Sequence, residues 1–452
     1  MTDAPILSVS DGTVYSKSKN IRPFSAHPLE DYSSIVSEEK IEKLQSLTQR
    51  LKGLKVLELN STAEGGGVAE MLYSSIPFLN DLGIETEWKV INGHKAYYEC
   101  TKHLHNLLQG MKGSFTREMK RIYLDNLIEC AKHNIIDNSP DMVIIHDPQP
   151  MLLCRLLKKE TEKWFWRCHI DIEPAVRSKN GLLTLLKDWV VDYDAAVFSA
   201  ARYVFPPWPI PKFIIPPFID PLSEKNRDLT DDEIAGVLVK YEIDLDVPII
   251  AQIGRFDPWK GLNRTIDTYR QVRETKKCQL VIAGGFASDD PEGERIFEDI
   301  YSKTRGDEDI HLLRLSLANR LENFLEINAL QRAATIIMQP STREGFGLVV
   351  AEALWKGKPV IASQVGGISF QIKKGKTGYF YENQRKTAQK ITHLLNNQKA
   401  AERVGERGRK YVQEHFLIID IITDHLMSMD IIMNSALDKK KLAKCVTSFY
   451  SW

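Results

Sequence analysis

Two successive series of short apolar segments, separated by segments of helical periodicity, constrain the fold of this chain more than any other feature. The strand-like segments of the first series cover residues 54–60, 142–145, 164–168, 195–199 and 213–215. Those of the second series cover residues 248–254, 279–284, 310–313, 335–339 and 359–363. Strands that alternate with helices predict a parallel sheet, because each parallel connection must cross from one end of the sheet to the other. We therefore predict an α/β chain with two doubly wound, Rossmann-like domains in tandem.

A proline-dense segment over residues 205–221 separates the two series. Proline cannot continue a long helix or occupy a central strand, so this segment is predicted to be the linker. The prediction gives an irregular arm over residues 1–35, a first domain over 36–217, a second domain over 218–414, and a C-terminal helix and tail over 415–452. We expect the tail, which is basic at residues 439–441 and then aromatic, to pack back on the body. Contact with a membrane surface or a partner is the alternative.

The overall composition excludes several classes of protein. The 452 residues include 60 acidic and 60 basic side chains, so no global charge draws the chain to nucleic acid. No apolar run approaches the roughly 20 residues that a membrane-spanning helix needs. The six cysteines include no C-x-x-C pair, which argues against a zinc site or a disulfide framework. Reduced thiols and a polar N-terminus predict a cytoplasmic location.

A pair of carboxylates lies where a predicted strand turns into a predicted helix. Glu344 and Glu352 are eight residues apart, and a turn containing Gly345 and Gly347 follows the first of them. The start of a helix gathers free backbone N–H groups and the positive end of the helix dipole, which suits a phosphate group. The carboxylates can accept hydrogen bonds from sugar hydroxyls. This motif therefore predicts a site for a sugar carried on a diphosphate.

Two basic residues leave the carboxyl end of another predicted strand. Arg255 and Lys260 follow the segment 248–254 directly, and ligands of open α/β sheets bind at that end of the strands. Two fixed cations can neutralise a diphosphate without a metal ion. The alternative is that both are ordinary solvated surface charges. Together with the carboxylate motif, the diphosphate interpretation is favoured.

A glycine-rich loop over residues 64–67 follows the first predicted strand and precedes a predicted helix over 68–79. It opens the first domain as a strand–loop–helix unit, although it does not match the G-x-G-x-x-G fingerprint of dinucleotide-binding proteins. A tight turn alone would also explain the glycines.

Several segments together carry a resemblance to a known family. They are residues 60–70, 146–150, 166–171, 217–226, 255–261, 328–333 and 344–352. In combination they resemble retaining glycosyltransferases of the GT-B fold, family GT4, and are most similar to transferring-type trehalose synthases and retaining trehalose phosphorylases. The resemblance extends from about residue 35 to about residue 430.

The resemblance implies a role for each matching position. The residues it implicates in catalysis are Arg255, Lys260, Glu344 and His169. Those it implicates in substrate binding are Gly66, Gly67, His146, Asp147, Asp171, Gly284, Gly345, Phe346, Gly347, Leu348 and Glu352. The first domain would lie on the acceptor side, and the second would bind the nucleotide sugar, with the ligands in a cleft between them.

On the donor side, the resemblance implies that Arg255 and Lys260 hold the diphosphate. Glu344 would bind hydroxyls of the transferred hexose, and Glu352 would bind the ribose. The backbone N–H groups of residues 345–348 would face the sugar and the phosphate, and Gly284 would contact one of them. The glycines at 66 and 67 would allow a close approach to the donor.

On the acceptor side, the resemblance places His169 at the sugar ring, with Asp171, His146 and Asp147 near the acceptor. Asp147 precedes a proline, so a turn-forming role is the alternative. The chain departs from the family pattern at Glu173. A carboxylate exposed there would repel an anionic acceptor, which predicts a neutral acceptor, glucose first. If Glu173 points to solvent, it only shapes the turn before Pro174.

The function implied by the resemblance is transfer of an α-glucosyl unit from a nucleoside diphosphate glucose to glucose, with retention, forming trehalose. No cofactor is implied, the nucleotide sugar is a substrate, and no metal is required. A homodimer is among the partners that the resemblance allows. The alternatives are a retaining trehalose phosphorylase, a GT4 glucosyltransferase acting on another neutral polyol and, more remotely, a non-catalytic nucleotide-sugar-binding protein.

Overall fold

The computed structural model describes residues 27–63, 66–133, 135–136, 139–178, 181–204, 207–285, 291–316, 319–434 and 446–448. Its strands are β1 (Lys55–Asn60), β2 (Glu85–Val90), β3 (Met142–His146), β4 (Lys163–Cys168), β5 (Ala195–Phe198), β6 (Lys212–Ile214), β7 (Ile249–Ile253), β8 (Gln279–Gly284), β9 (Ile310–Arg314), β10 (Ile336–Gln339), β11 (Val360–Ala362), β12 (Tyr379–Phe380) and β13 (Val446–Ser448).

Helices connect most of these strands. They are α1 (Glu38–Arg50), α2 (Gly67–Asp81), α3 (Lys95–Leu108), α4 (Arg117–Lys132), α5 (Leu153–Leu157), α6 (Glu173–Ser178), α7 (Gly181–Val190), α8 (Asp231–Lys240), α9 (Leu262–Arg273), α10 (Pro291–Thr304), α11 (Arg320–Ala333), α12 (Leu348–Trp355), α13 (Ile368–Gln371), α14 (Gln384–Asn396), α15 (Gln398–His415) and α16 (Ile418–Asn434). Short 3₁₀ turns cover Leu29–Ser34, Ala201–Tyr203 and Pro258–Lys260.

The chain divides into two compact units, and the second unit covers Phe218–Ile418. The first unit comprises the described residues up to Pro217 and from Ile419 onwards. Most of the predicted arm lies outside the described residues, as does most of the tail beyond residue 434.

The first unit is built on a parallel sheet. Among the described residues it has seven strands in the order β13-β6-β5-β4-β3-β1-β2. The chain runs from β1 outward to β2 and then returns to the other side of β1 to form β3. The connections from β1 therefore diverge at its carboxyl end, which is the switch point at which open α/β sheets bind ligands. Asn60 ends β1 at this point, and His146 ends β3 beside it.

The second unit repeats this architecture with six described strands in the order β12-β11-β10-β7-β8-β9, all parallel. Its core includes Ile250, Leu280 and Met338 from three neighbouring strands, packed against Tyr269 of α9. The switch point here lies between β7 and β10, because β8 and β10 flank β7 on opposite sides. The segments that follow these two strands carry the predicted diphosphate and hexose residues.

Every predicted strand corresponds to an observed one, and the predicted α/β class is confirmed. The strands β2, β12 and β13 are not among the predicted segments. Strand β2 reads Glu-Thr-Glu-Trp-Lys-Val and lies at the sheet edge. Half-buried edge strands alternate polar with apolar residues, so they lack the continuous apolar run that marks a central parallel strand.

The C-terminal helix α16 packs within the first unit. Its apolar side is buried through Ile419, Ile422 and Leu426. Lys40 lies 2.8 Å from Asp420, and Arg50 lies 2.7 Å from Asp430, so both ion pairs join α16 to α1. Partly exposed ion pairs contribute only about 0–1 kcal/mol each. Burial of the isoleucines and leucine is therefore the main source of the docking free energy.

A glycine in the middle of α15 allows that helix to approach the end of α12, which carries Glu352. Gly405 is buried, and a Cβ atom built on it would overlap the carbonyl oxygen of Gly357 just beyond α12. Gly236, in the middle of α8, is exposed, and within the described part of the chain a Cβ atom there would meet nothing within 4 Å. The two glycines therefore form a matched pair for separating packing from helix propensity.

We expect Gly405→Ala to lower the free energy of unfolding by roughly 1–3 kcal/mol, because the new methyl group overpacks a backbone contact. Gly236→Ala should raise it by up to about 1 kcal/mol, because alanine favours an exposed helix interior over glycine. Thermal and urea unfolding of both variants beside the parent chain measures the two shifts. An unchanged midpoint for Gly405→Ala would show that α15 and α12 do not approach so closely.

Candidate active site

The loop after β7 is fixed by short polar contacts. Asp257 Oδ1 accepts a hydrogen bond from the N–H of Trp259 at 2.8 Å, which starts the 3₁₀ turn Pro258–Lys260. Gln252 donates to the carbonyl of Lys260 at 2.7 Å. Arg255 is exposed in this loop, whereas the side chain of Lys260 is only 20% exposed. The loop therefore holds Lys260 in a set position at the carboxyl end of β7.

The carboxylate of Glu344 lies against this lysine. Lys260 Nζ donates to Glu344 Oε1 at 2.6 Å, and the pair joins the loop after β7 to the loop after β10. The same oxygen accepts from Ser341 Oγ at 3.0 Å and from Gln339 Nε2 at 3.2 Å. Glu344 is buried. The sequence predicted both charges but not their contact, which brings the proposed phosphate and hexose groups together.

Helix α12 begins directly after this carboxylate. Gly347 is its N-cap residue and adopts a left-handed φ of 83°, a conformation that favours glycine. A glycine cannot cap the helix with a side chain. Gly345, Gly347 and Leu348 are half-exposed. The predicted phosphate-facing backbone is therefore accessible beside Lys260, with the positive end of the helix dipole behind it.

Phe346 and Gly284 have evident packing roles in the structure. The Phe346 ring is buried against Phe370 and Phe416, at centroid distances of 5.8 and 5.6 Å. A Cβ atom on Gly284 would overlap the carbonyl oxygen of Gly254, so this glycine allows the ends of β7 and β8 to approach. Only the backbone of these two residues has a clear opportunity to contact a ligand, and their assignment to the site stays a prediction.

Glu352 is placed differently from Glu344. It is fully buried in α12, 2.9 Å from Lys225 Nζ, and it accepts a hydrogen bond from Gln331 at 3.0 Å. Burial alone would raise its pKa, but the ammonium groups of Lys225 and Lys356 outweigh burial and hold the pKa of Glu352 below its usual range. The carboxylate is therefore ionised and already engaged inside the protein. A contact between Glu352 and a ribose needs a local rearrangement, and this assignment also stays a prediction.

The first unit holds a second polar cluster at the carboxyl ends of β3 and β4. His146 Nδ1 lies 2.8 Å from His169 Nε2, and His146 Nε2 lies 2.6 Å from Glu58 Oε2 on β1. All three side chains are buried. The pKa of His169 is held well below its usual value, mainly by burial and then by the positive charge of Arg167. His169 is consequently neutral near pH 7.

Asp147 fixes the position of this cluster. It has a left-handed φ of 61°, which aspartate tolerates better than most residues. Its Oδ1 accepts the backbone N–H of His169 at 2.7 Å, and burial raises its pKa to about 6. The side chain thus joins the end of β3 to the end of β4. This contact gives Asp147 a structural role between two strands, and both the turn-forming role and the acceptor contact stay predictions.

Asp171 and Glu173 lead into α6. Asp171 is buried, and its Oδ1 accepts the backbone N–H of Glu173 at 3.0 Å. Glu173 lies 2.6 Å from Arg177 and 3.8 Å from Arg202. These two arginines offset part of the negative charge of Glu173, and the expected repulsion of anionic acceptors stays a prediction. The glycines at 66 and 67 start α2, and a Cβ atom on Gly66 would meet no atom of the other described residues within 4 Å.

Several residues of these clusters were missed in the sequence. Glu58, Arg167 and His425 belong to the cluster of the first unit, and Lys225 and Gln339 to those of the second. Glu58 could have been noticed, since it is an ionisable residue inside the apolar run Leu-Lys-Val-Leu-Glu-Leu. His425 lies on α16, far along the chain from its contacts, and no local pattern marks it.

Two negative findings apply to the described part of the chain. It contains no group of three or more His, Cys, Asp or Glu side chains arranged to hold a metal ion. None of the helices in the described ranges is long and apolar enough to cross a membrane.

The sequence is similar to proteins of known activity over nearly its full length. Residues 58–205 match the family described as "Trehalose synthase, N-terminal domain", and residues 238–411 match "Glycosyl transferases group 1". The trehalose synthase of Pyrococcus horikoshii is 41% identical over 421 residues, covering 92% of this chain and 98% of that protein. The trehalose phosphorylase of Pleurotus pulmonarius is 30% identical, covering 78% of this chain but 53% of that protein.

Solved structures share the fold at low sequence identity. The sucrose-phosphate synthase of Thermosynechococcus elongatus has a TM-score of 0.61 at 18% identity, covering 83% of this chain and 97% of that chain. HepE from Anabaena, solved in complex with UDP and glucose, has a TM-score of 0.58 at 12% identity, covering 83% of this chain and 99% of that chain. These likenesses confirm the predicted GT-B fold. With the extent of the sequence match, they show that the chain is a glycosyltransferase that belongs to the trehalose synthase family.

Proposed function

We propose that this chain transfers an α-glucosyl unit from a nucleoside diphosphate glucose to glucose, with retention of configuration, and so forms trehalose. The contact between Lys260 and Glu344 at the start of α12 is the observation that carries the proposal. It places a cation, a carboxylate and accessible backbone N–H groups within one loop pair. A sugar diphosphate needs these three groups together, and the activity named for the relatives supports the product.

Departure of the nucleoside diphosphate leaves a positively charged, oxocarbenium-like sugar and a developing negative charge on the phosphate. Lys260 keeps two N–H donors beyond the one directed at Glu344, so it can bind a phosphate oxygen while it holds the carboxylate. Arg255 and the N-terminus of α12 add positive charge to the same side. Preorganised charges of this kind stabilise the leaving group without reorganisation in the transition state.

Glu344 is proposed to bind hydroxyls of the transferred hexose. Its Oε1 already accepts three hydrogen bonds from protein groups, which tie the carboxylate to the loops after β7 and β10. The charge balance with Lys260 keeps the carboxylate oriented. The reaction is proposed to occur on one face of the sugar, with the leaving phosphate taking the proton of the acceptor hydroxyl.

The acceptor assignment rests on the activity named for the relatives, with Asp171 near the acceptor and His169 at the ring of the transferred hexose. His169 and Asp171 are proposed to contact sugar hydroxyls, and Gly66 and Gly67 to leave room for the donor. Arg177 and Arg202 offset part of the charge of Glu173, so the proposed preference for a neutral acceptor rests mainly on the relatives. We also propose a cytoplasmic location, which fits the free, buried thiols of the described cysteines. A homodimer stays a prediction.

The proposed reaction is tested by incubating the chain with UDP-, ADP- and GDP-glucose in turn, with glucose as acceptor. We expect trehalose and the matching nucleoside diphosphate in equal amounts from at least one donor. When glucose and glucose 6-phosphate compete at equal concentration, glucose should be preferred. Lys260→Ala, as the control, should reduce turnover by at least about a hundredfold, the usual scale for removing one donor from a developing anion.

A phosphorylase would give a different result in the same experiment. It would split trehalose only when inorganic phosphate is present and would not use any of the nucleotide sugars. We further propose that no metal ion is needed, because two cations already serve the diphosphate. Turnover in excess chelator should therefore match turnover without it, and a complete loss that magnesium restores would contradict this part of the proposal.

The two carboxylates of the motif should differ in their kinetic effects. Glu344→Gln should lower kcat more than it changes KM, because the contact with the transferring hexose strengthens in the transition state. Glu352→Gln should raise KM for the nucleotide sugar more than it lowers kcat, because a ribose contact binds ground state and transition state alike. Steady-state kinetics of both variants measures the difference.

Thermal unfolding of the same two variants is the necessary control. Glu352→Gln leaves the buried Lys225 with a weaker partner, so it also lowers stability. The kinetic comparison is therefore made well below the melting temperature of each variant. The reverse kinetic pattern would mean that the roles of the two carboxylates are exchanged.

A further inference from the structure

A hydrogen-bonded chain of three side chains crosses the carboxyl end of the first sheet. Glu58 lies on β1, His146 ends β3 and His169 follows β4, and these strands are direct neighbours. The successive distances are 2.6 Å from Glu58 to His146 and 2.8 Å from His146 to His169. The imidazole planes meet at 13°, and the short N···N distance identifies an in-plane bond rather than a face-to-face stack.

The hydrogen positions along these three side chains follow from the carboxylate of Glu58 at one end. An ionised carboxylate only accepts hydrogen bonds, so His146 must carry a hydrogen on Nε2 to bind Glu58. A neutral imidazole has one N–H, so His146 Nδ1 is then an acceptor. His169 must therefore donate from Nε2, and its own Nδ1 is left with a lone pair and no hydrogen.

Burial and the positive charge of Arg167 keep the pKa values of His169 and His425 well below their usual range, so both histidines are neutral. Arg167 donates from Nη1 to His425 Nδ1 at 3.2 Å, and a guanidinium cannot accept, so His425 is neutral with its hydrogen on Nε2. Burial is the largest cause of the lowered pKa of His169, and the positive charge of Arg167 is the second largest.

The free end of the chain is an acceptor without a protein partner. His169 is buried, with an exposed fraction of only 8%, and its Nδ1 has no hydrogen-bond partner among the described residues. Buried polar atoms are nearly always hydrogen-bonded, and an exception calls for an explanation. A lone pair fixed in this way can bind a group that donates a hydrogen bond, such as a sugar hydroxyl, and it cannot bind a group that only accepts.

We propose that Glu58 and His146 are positioning residues that hold His169 in its Nε2–H form, so that Nδ1 accepts a hydrogen bond from a hydroxyl of the transferred hexose. The proposal rests on the proposed function and adds the direction of this hydrogen bond. It assigns a role to Glu58, a strand residue that does not contact the sugar. It also predicts that the site distinguishes a hydroxyl from an acceptor of similar size.

Nucleotide-sugar donors with each hexose hydroxyl replaced in turn by fluorine test this direction, because carbon-bound fluorine accepts weakly and cannot donate. For each fluorinated donor, the penalty is the factor by which kcat/KM falls relative to the unsubstituted donor. At one hydroxyl position, the penalty in the parent chain should exceed the penalty in the variants by at least about tenfold. In Glu58→Leu and in His146→Phe the ring of His169 is free to place its hydrogen on Nδ1. In these two variants the fall in kcat/KM caused by fluorine at that position should therefore be about tenfold smaller than in the parent chain.

Conservative and distant substitutions serve as controls. Glu58→Gln keeps an oxygen that can accept from His146 and should retain most of the penalty. Glu85→Leu removes an exposed carboxylate from β2 of the same sheet and should retain all of the penalty. Thermal unfolding of each variant shows that it is folded during the assay, and if Glu58→Leu does not fold, His146→Phe supplies the comparison.

The outcomes are distinguishable. Penalties that are unchanged in Glu58→Leu or His146→Phe, while trehalose is still formed, overturn the relay and leave the proposed function intact. A parent chain that tolerates fluorine at every position overturns it in the same way. Failure of the parent chain to form trehalose from the unsubstituted donor overturns the proposed function and, with it, the ligand assigned to His169.

Discussion

The ion pair between Lys260 and Glu344 is the interaction on which the candidate donor site depends. It joins the segment after β7 to the segment after β10, the two central strands between which the direction of the sheet connections changes. The carboxylate is buried and receives two further hydrogen bonds, from Gln339 and Ser341. Breaking the pair would leave a buried charge, which is strongly unfavourable. The pair therefore fixes the start of α12 and the phosphate-facing backbone with it.

The first unit also holds buried charged groups at the carboxyl ends of its strands, but with a different set of side chains. Its buried cluster contains an anion, Glu58, and a cation, Arg167, with three histidines among them. In a neutral histidine one ring nitrogen donates and the other accepts. The donor and acceptor roles set at one strand therefore determine those at the next, without any added charge. Asp147 holds the backbone of β4 in place, and α16 contributes His425 from the far end of the chain. The C-terminal helix is thus part of the support of the cluster.

Much of this arrangement could be predicted from the sequence, because parallel strands buried on both faces are continuous apolar runs and their ends are marked by glycine, proline or charge. The ends of β7 and β10 located Arg255, Lys260 and Glu344 in this way. The pairing of these charges could not be predicted, because it depends on the order of strands in the sheet. The burial of Glu352 was missed for a similar reason, since its partner Lys225 precedes α8 and only the tertiary fold brings them together.

The central claim is that Lys260 binds the diphosphate while Glu344 binds the hexose. Calorimetric titration with the free nucleoside diphosphate, and separately with the nucleotide sugar, tests it most directly in the parent chain, Lys260→Ala and Glu344→Gln. Lys260→Ala should weaken binding of both ligands. Glu344→Gln should weaken the nucleotide sugar more than the diphosphate, because only the nucleotide sugar reaches the side chain of residue 344, whereas the weaker partner of Lys260 affects both ligands. Equal affinity of Lys260→Ala and the parent chain for the diphosphate, or an equal loss of both ligands in Glu344→Gln, would contradict the account.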